Sequence, residues 1–318
     1  MQAMKAYPAL RSERRRPYSG RMGRIVQQKW FYLMLAPGLV FFLLFKYVPM
    51  WGVVISFQEY QPALGVTGSE WVGFKHFRRL FTDPDFWLLF KNTITLFIWN
   101  LAFVFPVPIV LALMLNEVGR MMYKRIVQTI IYIPHFFSWV IVVSLTYIML
   151  TTEGGVINEL VGRLGGAPIN FLLSEDWFRP LYVLQIIWRD AGWGTIIYLA
   201  ALAGTDPQLY EAARIDGASR WRQLWHVTLP SIRSTIVILL ILKVSDILEL
   251  SFDHIFLMQN SMNRSVSEVF DTYVYTTGIQ QGQFSYSIAV GLFKAFVGLA
   301  VVMAANAIAK RFGEEGIY

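Results

Sequence analysis

The chain has 318 residues, of which 55% are hydrophobic, 16% aromatic and only 15% charged. A soluble domain carries about 25% charged and 45–50% apolar residues, so a soluble globular fold is excluded, and with no cysteine so are disulfides and thiolate metal sites. The net charge of +7 is read as the mark of cytoplasmic loops rather than of a nucleic-acid surface, and no nucleic-acid partner is expected.

Residues 1–30 form a basic tail with Arg11, Arg14, Arg15, Arg16, Arg21, Arg24 and Lys29. The apolar run that follows is too long for the core of a signal peptide and shows no small-residue cleavage site, so the tail is expected to be retained. Runs of roughly 20 apolar residues, enough to cross about 30 Å of hydrocarbon, then occur at approximately Phe31–Phe57, Thr93–Leu115, Ile126–Leu150, Leu181–Ala203, Thr235–Leu257 and Ser287–Ala309. The expectation is an all-α, polytopic membrane protein with six transmembrane helices in one domain, 31–310, followed by a tail at 311–318. Pro37, Gly38, Pro49, Pro106, Pro108 and Pro134 lie within spans, where neighbouring helices and water can satisfy the freed backbone groups, so kinked helices are predicted.

Lys and Arg set the orientation. With the N-terminus inside, segments 1–30, 116–125, 204–234 and 310–318 hold 17 of them, against seven in 58–92, 151–180 and 258–286. The bias places both termini and the 204–234 loop in the cytoplasm. In the first outside segment Phe74, Phe77 and Phe81 recur at helical spacing. They predict an amphipathic helix along the membrane interface, with a partner-binding surface as the other reading.

No phosphate-cradling loop and no catalytic constellation stands in the chain, so it is not expected to be an enzyme or to hold a cofactor. The four histidines, His76, His135, His226 and His254, lack metal-ligand spacing, and no metal site is predicted. The most specific segment is Glu211–Pro230, in the inside loop 205–230 between spans four and five. Asp206-Pro207 is a helix-start signal, Gln208 to Asp216 continues as helix, and Gly217 suits a left-handed turn. A second helix, Ser219–Val227, then runs to Leu229-Pro230. Ala212 and Ala213 are small enough for close approach of a partner. Glu211, Arg214 and Asp216 supply charge, and Trp221 and Trp225 form an aromatic face for packing on the bundle or the bilayer interface.

Glu-Ala-Ala, then Gly217 after three residues and Val227-Thr228-Leu229-Pro230 after nine more, resembles the EAA loop of binding-protein-dependent ABC importers. Trp71–Phe74, Leu111–Glu117, Tyr132–Trp139, Tyr198–Leu202 and Asp271–Tyr275 extend the resemblance over nearly the whole chain. They are similar to type I ABC importer permeases of the carbohydrate class, in the oligosaccharide and polysaccharide branch, including alginate-type importers. Val227 stands where isoleucine is more usual, a conservative departure. The resemblance implies a second homologous permease, two ATPase subunits that bind ATP and Mg, an extracytoplasmic solute-binding protein, and a bacterial inner-membrane location. It also implies that Glu211, Ala212, Ala213, Asp216 and Gly217 form the ATPase-coupling contact. A homodimer is left open.

An intramembrane charge costs at least about 2.5–3.5 kcal/mol and usually faces a partner or a wet cavity. Lys243, Asp246, Glu249 and Asp253 fall on one face of the fifth predicted span, within about 120° of arc. They either line the sugar path or form an internal salt-bridge set, such as Lys243 with Asp246, or pair with the other permease. Arg189-Asp190 with Trp188, Trp193 and Tyr198 in the fourth span are further path candidates. Lys294 could pair with an acid of the fifth span, and an anionic sugar could be attracted by Arg189 or Lys294. An ion-coupled secondary transporter using Asp246 and Glu249 is the alternative, though it leaves the loop unexplained. A membrane scaffold or sensor would not need the polar face.

Overall fold

A computed structural model describes residues 28–311; most of both tails, 1–27 and 312–318, lies outside the described residues. The chain divides into two units at Gly52. The first holds most of helix α1 (Lys29–Phe57) and buries none of its own described side chains.

In the second unit, Gln58–Glu59 (β1) pairs antiparallel with Glu70–Trp71 (β2). The helices that follow are α2 (Lys75–Thr82), α3 (Phe86–Glu117), α4 (Met121–Phe136), α5 (Trp139–Leu150), α6 (Val156–Arg163) and α7 (Glu175–Ala203). Then come α8 (Pro207–Ile215), α9 (Arg220–Ser231), α10 (Arg233–Ser245), α11 (Phe252–Met258), α12 (Phe270–Tyr275) and α13 (Phe284–Arg311). Among the described residues three helices, α1, α3 and α13, are long and apolar enough to cross a membrane, or up to five if each of two bent pairs is one span. The 29-residue α7 stands outside that count. In α2 the buried side chains are His76 and Leu80, while Phe81 and the preceding Phe74 are exposed and Phe77 is half-buried, which fits an amphipathic helix.

Two predicted spans are not single helices. The third breaks between α4 and α5 with a 100° bend. Pro134 sits in a tight turn over Ile133–Phe136, Phe137 and Ser138 are extended, and the Ser138 hydroxyl caps α5 by accepting from Ile141 N. The fifth ends at Ser245. There the Ser245 hydroxyl turns back onto the Leu242 carbonyl, a local bond that competes with helix. Ser251 then precedes α11, and Asp253 lies in its first turn, where a carboxylate suits the helix dipole. The single polar face expected over Lys243, Asp246, Glu249 and Asp253 therefore does not exist: the first is on α10, the next two are on the connecting turn, and Asp253 is on α11. A 59° bend also separates α9 from α10, just after Pro230, so that proline lies in the last turn of α9.

Small residues let α7 serve as the central helix. Gly194 faces the ring of Pro108, and the Thr195 hydroxyl donates to the Ala191 carbonyl at 2.7 Å. Small contact residues of this kind draw membrane helices together. In α3, a widened turn over Asn100–Val104 closes from Phe105 N to the Asn100 carbonyl just before Pro106 and Pro108, which have no N–H to donate. Gly192 is the tightest point: a Cβ there would lie 1.9 Å from the Ile131 carbonyl oxygen. Backbone on both sides leaves no flexible side chain to give way. Gly192→Ala is expected to destabilise the protein by at least about 1–3 kcal/mol, read as a lowered thermal midpoint of the purified protein.

Asp83, ahead of α3, accepts from the hydroxyls of Tyr273 and Tyr286 at 2.9 and 2.8 Å, joining α12 to α13. Partial burial opposes its charge, but the Asp85 backbone N–H, the two hydroxyls and nearby Arg79 outweigh it, so its pKa lies below the ordinary 3.8. A depressed pKa gives stability that is full above the unfolded value and is lost as pH falls through the folded one. Asp83→Asn should lower stability at neutral pH. It should also flatten the loss of the thermal midpoint as pH falls below the ordinary carboxylate value of 3.8.

Candidate translocation site and the 205–230 loop

The loop 205–230 folds as a helix, a sharp turn and a second helix. The Asp206 carboxylate accepts from Gln208 N at 2.9 Å, with Pro207 in the first position of α8. The helix ends with Ala218 N on the Ala213 carbonyl at 2.9 Å and Gly217 in the left-handed region, φ 73°. Ser219 caps α9 through Arg222 N. Two side-chain bonds hold the pair together: Tyr210 to Thr228 at 3.1 Å and Gln223 to the Ala218 carbonyl at 2.8 Å. Glu211, Ala212, Asp216 and Gly217 are exposed, and Ala213 is half-buried.

Beside α8 lies a polar groove of about 830 Å³, reached by Tyr210, Glu211, Arg214 and Arg220, with Asn116 and Glu117 from the end of α3 as its other wall. Glu117 approaches Arg220 at 3.6 Å. Sequence reasoning missed this wall as part of the site, although Asn116 and Glu117 lie in one of the segments that carried the resemblance. It also missed Ile215, an apolar residue 85% exposed at the end of α8. Trp221 and Trp225 meet edge to face at 6.5 Å but are mostly exposed, so they do not pack on the described bundle.

The second site is on α7 at the α4–α5 break. Arg189 donates through Nε to the Phe137 carbonyl at 2.9 Å and through Nη1 to both carboxylate oxygens of Asp190. His135 Nδ1 donates to Asp190 at 2.8 Å, and its ring lies parallel to Trp193 at 4.5 Å. The guanidinium sits 4.5 Å from the Trp139 ring. Such an arrangement offers what a sugar needs: aromatic faces partly open at Trp193 and Trp188, beside charged donors and acceptors. On one side of α7 a cavity of about 340 Å³ gathers Asp190, Tyr198, Lys243 and Asp246. On the other, a more apolar one of about 510 Å³ is reached by Trp188, Gln185 and Thr146.

The structure thus gathers Asp190, Tyr198 and Asp246 at one cavity and sets Trp188 at the cavity on the other side of α7, while Arg189 joins Asp190 directly and Trp193 joins it through His135; the remaining path candidates lie apart. Glu249 and Asp253 are exposed on the turn and at the head of α11, and Asp246, exposed beside Lys243, does not meet Glu249 in an enclosed ion site. Lys294 pairs with Asp271 of α12 rather than with an acid of the fifth span. The additions are His135, Trp139, Gln185 and His254. Two of these lie in the Tyr132–Trp139 segment already singled out, and the helix break is what turns them toward α7.

The pattern that defines the binding-protein-dependent transport system inner membrane component matches residues 104–314, and the chain belongs to that family. It is 67% identical over 295 residues to the polygalacturonan/rhamnogalacturonan transport system permease protein YteP of Bacillus subtilis (strain 168), covering 93% of this chain and 92% of that one. It is 28% identical to the arabinooligosaccharides transport system permease protein AraP of the same organism, covering 90% of each. It also matches a chain of the crystal structure of a bacterial alginate ABC transporter in complex with alginate pentasaccharide-bound periplasmic protein. That match has a TM-score of 0.86 and 39% identity, over 93% of this chain and 99% of that one.

The positive φ of Gly217 makes a local prediction. An L-residue there costs about 1–2 kcal/mol, so Gly217→Ala should speed amide hydrogen exchange across α8 and the start of α9 while leaving α7 protected.

Proposed function

We propose that this chain is one permease of an ATP-driven importer of acidic oligosaccharides. It pairs with a second homologous permease, and an extracytoplasmic binding protein delivers the sugar. Two ATPase subunits bind ATP and Mg and dock on the loop 205–230. The chain crosses the membrane six times, α7 being the fourth span, with both termini and that loop in the cytoplasm. Glu211 meets the ATPase, Ala212 and Ala213 allow its close approach, Asp216 adds charge at the contact, and Gly217 makes the turn.

The observation that carries the cargo is Arg189. A fixed guanidinium beside partly open tryptophan faces is suited to a sugar ring that bears a carboxylate. The names of the relatives support the same class, since polygalacturonan and alginate are polymers of uronic acids. Lys294 pairs with Asp271 of α12 and has no place beside the tryptophans of α7, so it is left out of this reading. Trp188, Trp193, Asp190 and Asp246 complete the path.

The test is ATP hydrolysis by the complete importer in lipid, with its binding protein loaded with oligogalacturonate or with a neutral oligosaccharide of equal length. Oligogalacturonate should stimulate at concentrations at which the neutral sugar does not. Glu211→Ala should cut the stimulation about tenfold. Arg189→Gln should raise the half-maximal concentration of the acidic sugar about tenfold. Equal stimulation by the neutral sugar would overturn the cargo class, and full stimulation in Glu211→Ala would overturn the coupling role.

A further inference from the structure

Behind the Arg189 site lies a buried relay that the proposed transport does not use directly. His254 of α11 is fully buried. Its ring lies 3.7 Å from Trp139 with planes 6° apart, and 4.7 Å from Tyr182 with planes 18° apart. Its Nε2 meets Gln185 Oε1 on α7. Gln185 is one helical turn before Arg189, so both project from the same side of α7.

The relay fixes the tautomer of the histidine. The Thr146 hydroxyl donates to the Val142 carbonyl at 2.9 Å, so its oxygen accepts from Gln185 Nε2 at 2.8 Å. Gln185 therefore turns its carbonyl oxygen to His254, and His254 donates from Nε2. Nδ1 is then a bare acceptor, and it is buried with no hydrogen-bond partner. An unpaired buried acceptor is unfavourable, and a phenyl ring would fill the stack without it. What only the histidine supplies is a flat ring that also donates to α7.

We propose that His254 is a positioning residue: it clamps the α11 segment to α7 and holds the Trp139 indole in the orientation on which the Arg189 guanidinium rests. This rests on the reading of Arg189 as the contact for the acidic sugar. Its consequence is that the guanidinium responds to the place of α11, the short helix that follows the break at Asp246. Movement of that segment alters the charge discrimination of the site without any change at Arg189 itself.

The test uses the complete importer in lipid with its binding protein, comparing oligogalacturonate with a neutral oligosaccharide of equal length that the importer is shown to accept at high concentration. The readout is the half-maximal concentration of the neutral sugar for ATP hydrolysis divided by that of oligogalacturonate. His254→Phe keeps a flat ring but removes the donor; Gln185→Asn leaves the histidine intact and withdraws the acceptor. Each should reduce the ratio about fivefold, the scale of one hydrogen bond. Neither should reduce it further in an Arg189→Gln background, because the effect passes through that residue. Equal weakening of both sugars, or losses that add to that of Arg189→Gln, would overturn the positioning role while leaving the Arg189 reading intact. An unchanged ratio in Arg189→Gln alone would overturn that reading and this inference with it.

Discussion

The hydrogen bond from Arg189 to the Phe137 carbonyl is the interaction around which the site is organised. A helix that breaks inside an apolar region leaves backbone groups without partners, and in lipid there is no water to take them. The extended residues Phe137 and Ser138 are tolerated because a neighbouring helix supplies a donor and a local hydroxyl supplies a cap. That donor carries a full charge, and so Asp190 beside it, His135 against Asp190 and Trp193 against His135 follow in turn. A requirement of the backbone thus places charge and aromatic surface together.

Much of this was legible in the sequence, for reasons that differ between its parts. The 205–230 loop could be read almost residue by residue, because Asp206-Pro207, Gly217 and Ser219 are local signals whose effect needs no tertiary partner. The apolar runs gave the helical class because burial in lipid is a property of composition. What could not be read was continuity. Nothing in the hydropathy of 235–257 shows that the Ser245 hydroxyl will turn back on its own helix, or that Leu250 N will find Asp271 from α12. The helical wheel drawn through Lys243, Asp246, Glu249 and Asp253 assumed an uninterrupted helix, and that assumption failed. His254 was equally opaque: an isolated histidine in an apolar run has meaning only once Gln185, Trp139 and Tyr182 surround it.

The two functional regions stand at different depths of the same helix pair. Tyr198 and Leu202 of α7 pack with Ala112 of α3 and Ile232, at the head of α10, in one core cluster. Above this cluster α7 carries Arg189 and Asp190; below it the chain turns into Asp206 and α8. The α3 end that bounds the groove beside α8 belongs to the same packed pair. The packed α3–α7 pair therefore carries a polar site at mid-length and a capped helix at its end, joined by continuous side-chain contacts.

The Lys294–Asp271 pair has a consequence for how the sequence can drift. It is not a symmetric exchange of charge, because the second oxygen of Asp271 also accepts from Leu250 N, at the turn that follows α10. Swapping the two residues would restore opposite charges yet strand that amide, since an ammonium has no lone pair to offer. Covariation at these positions is therefore expected to be one-sided. The acidic member can become another acceptor, such as asparagine, and the basic member can change with it, but reversal is closed as an evolutionary route.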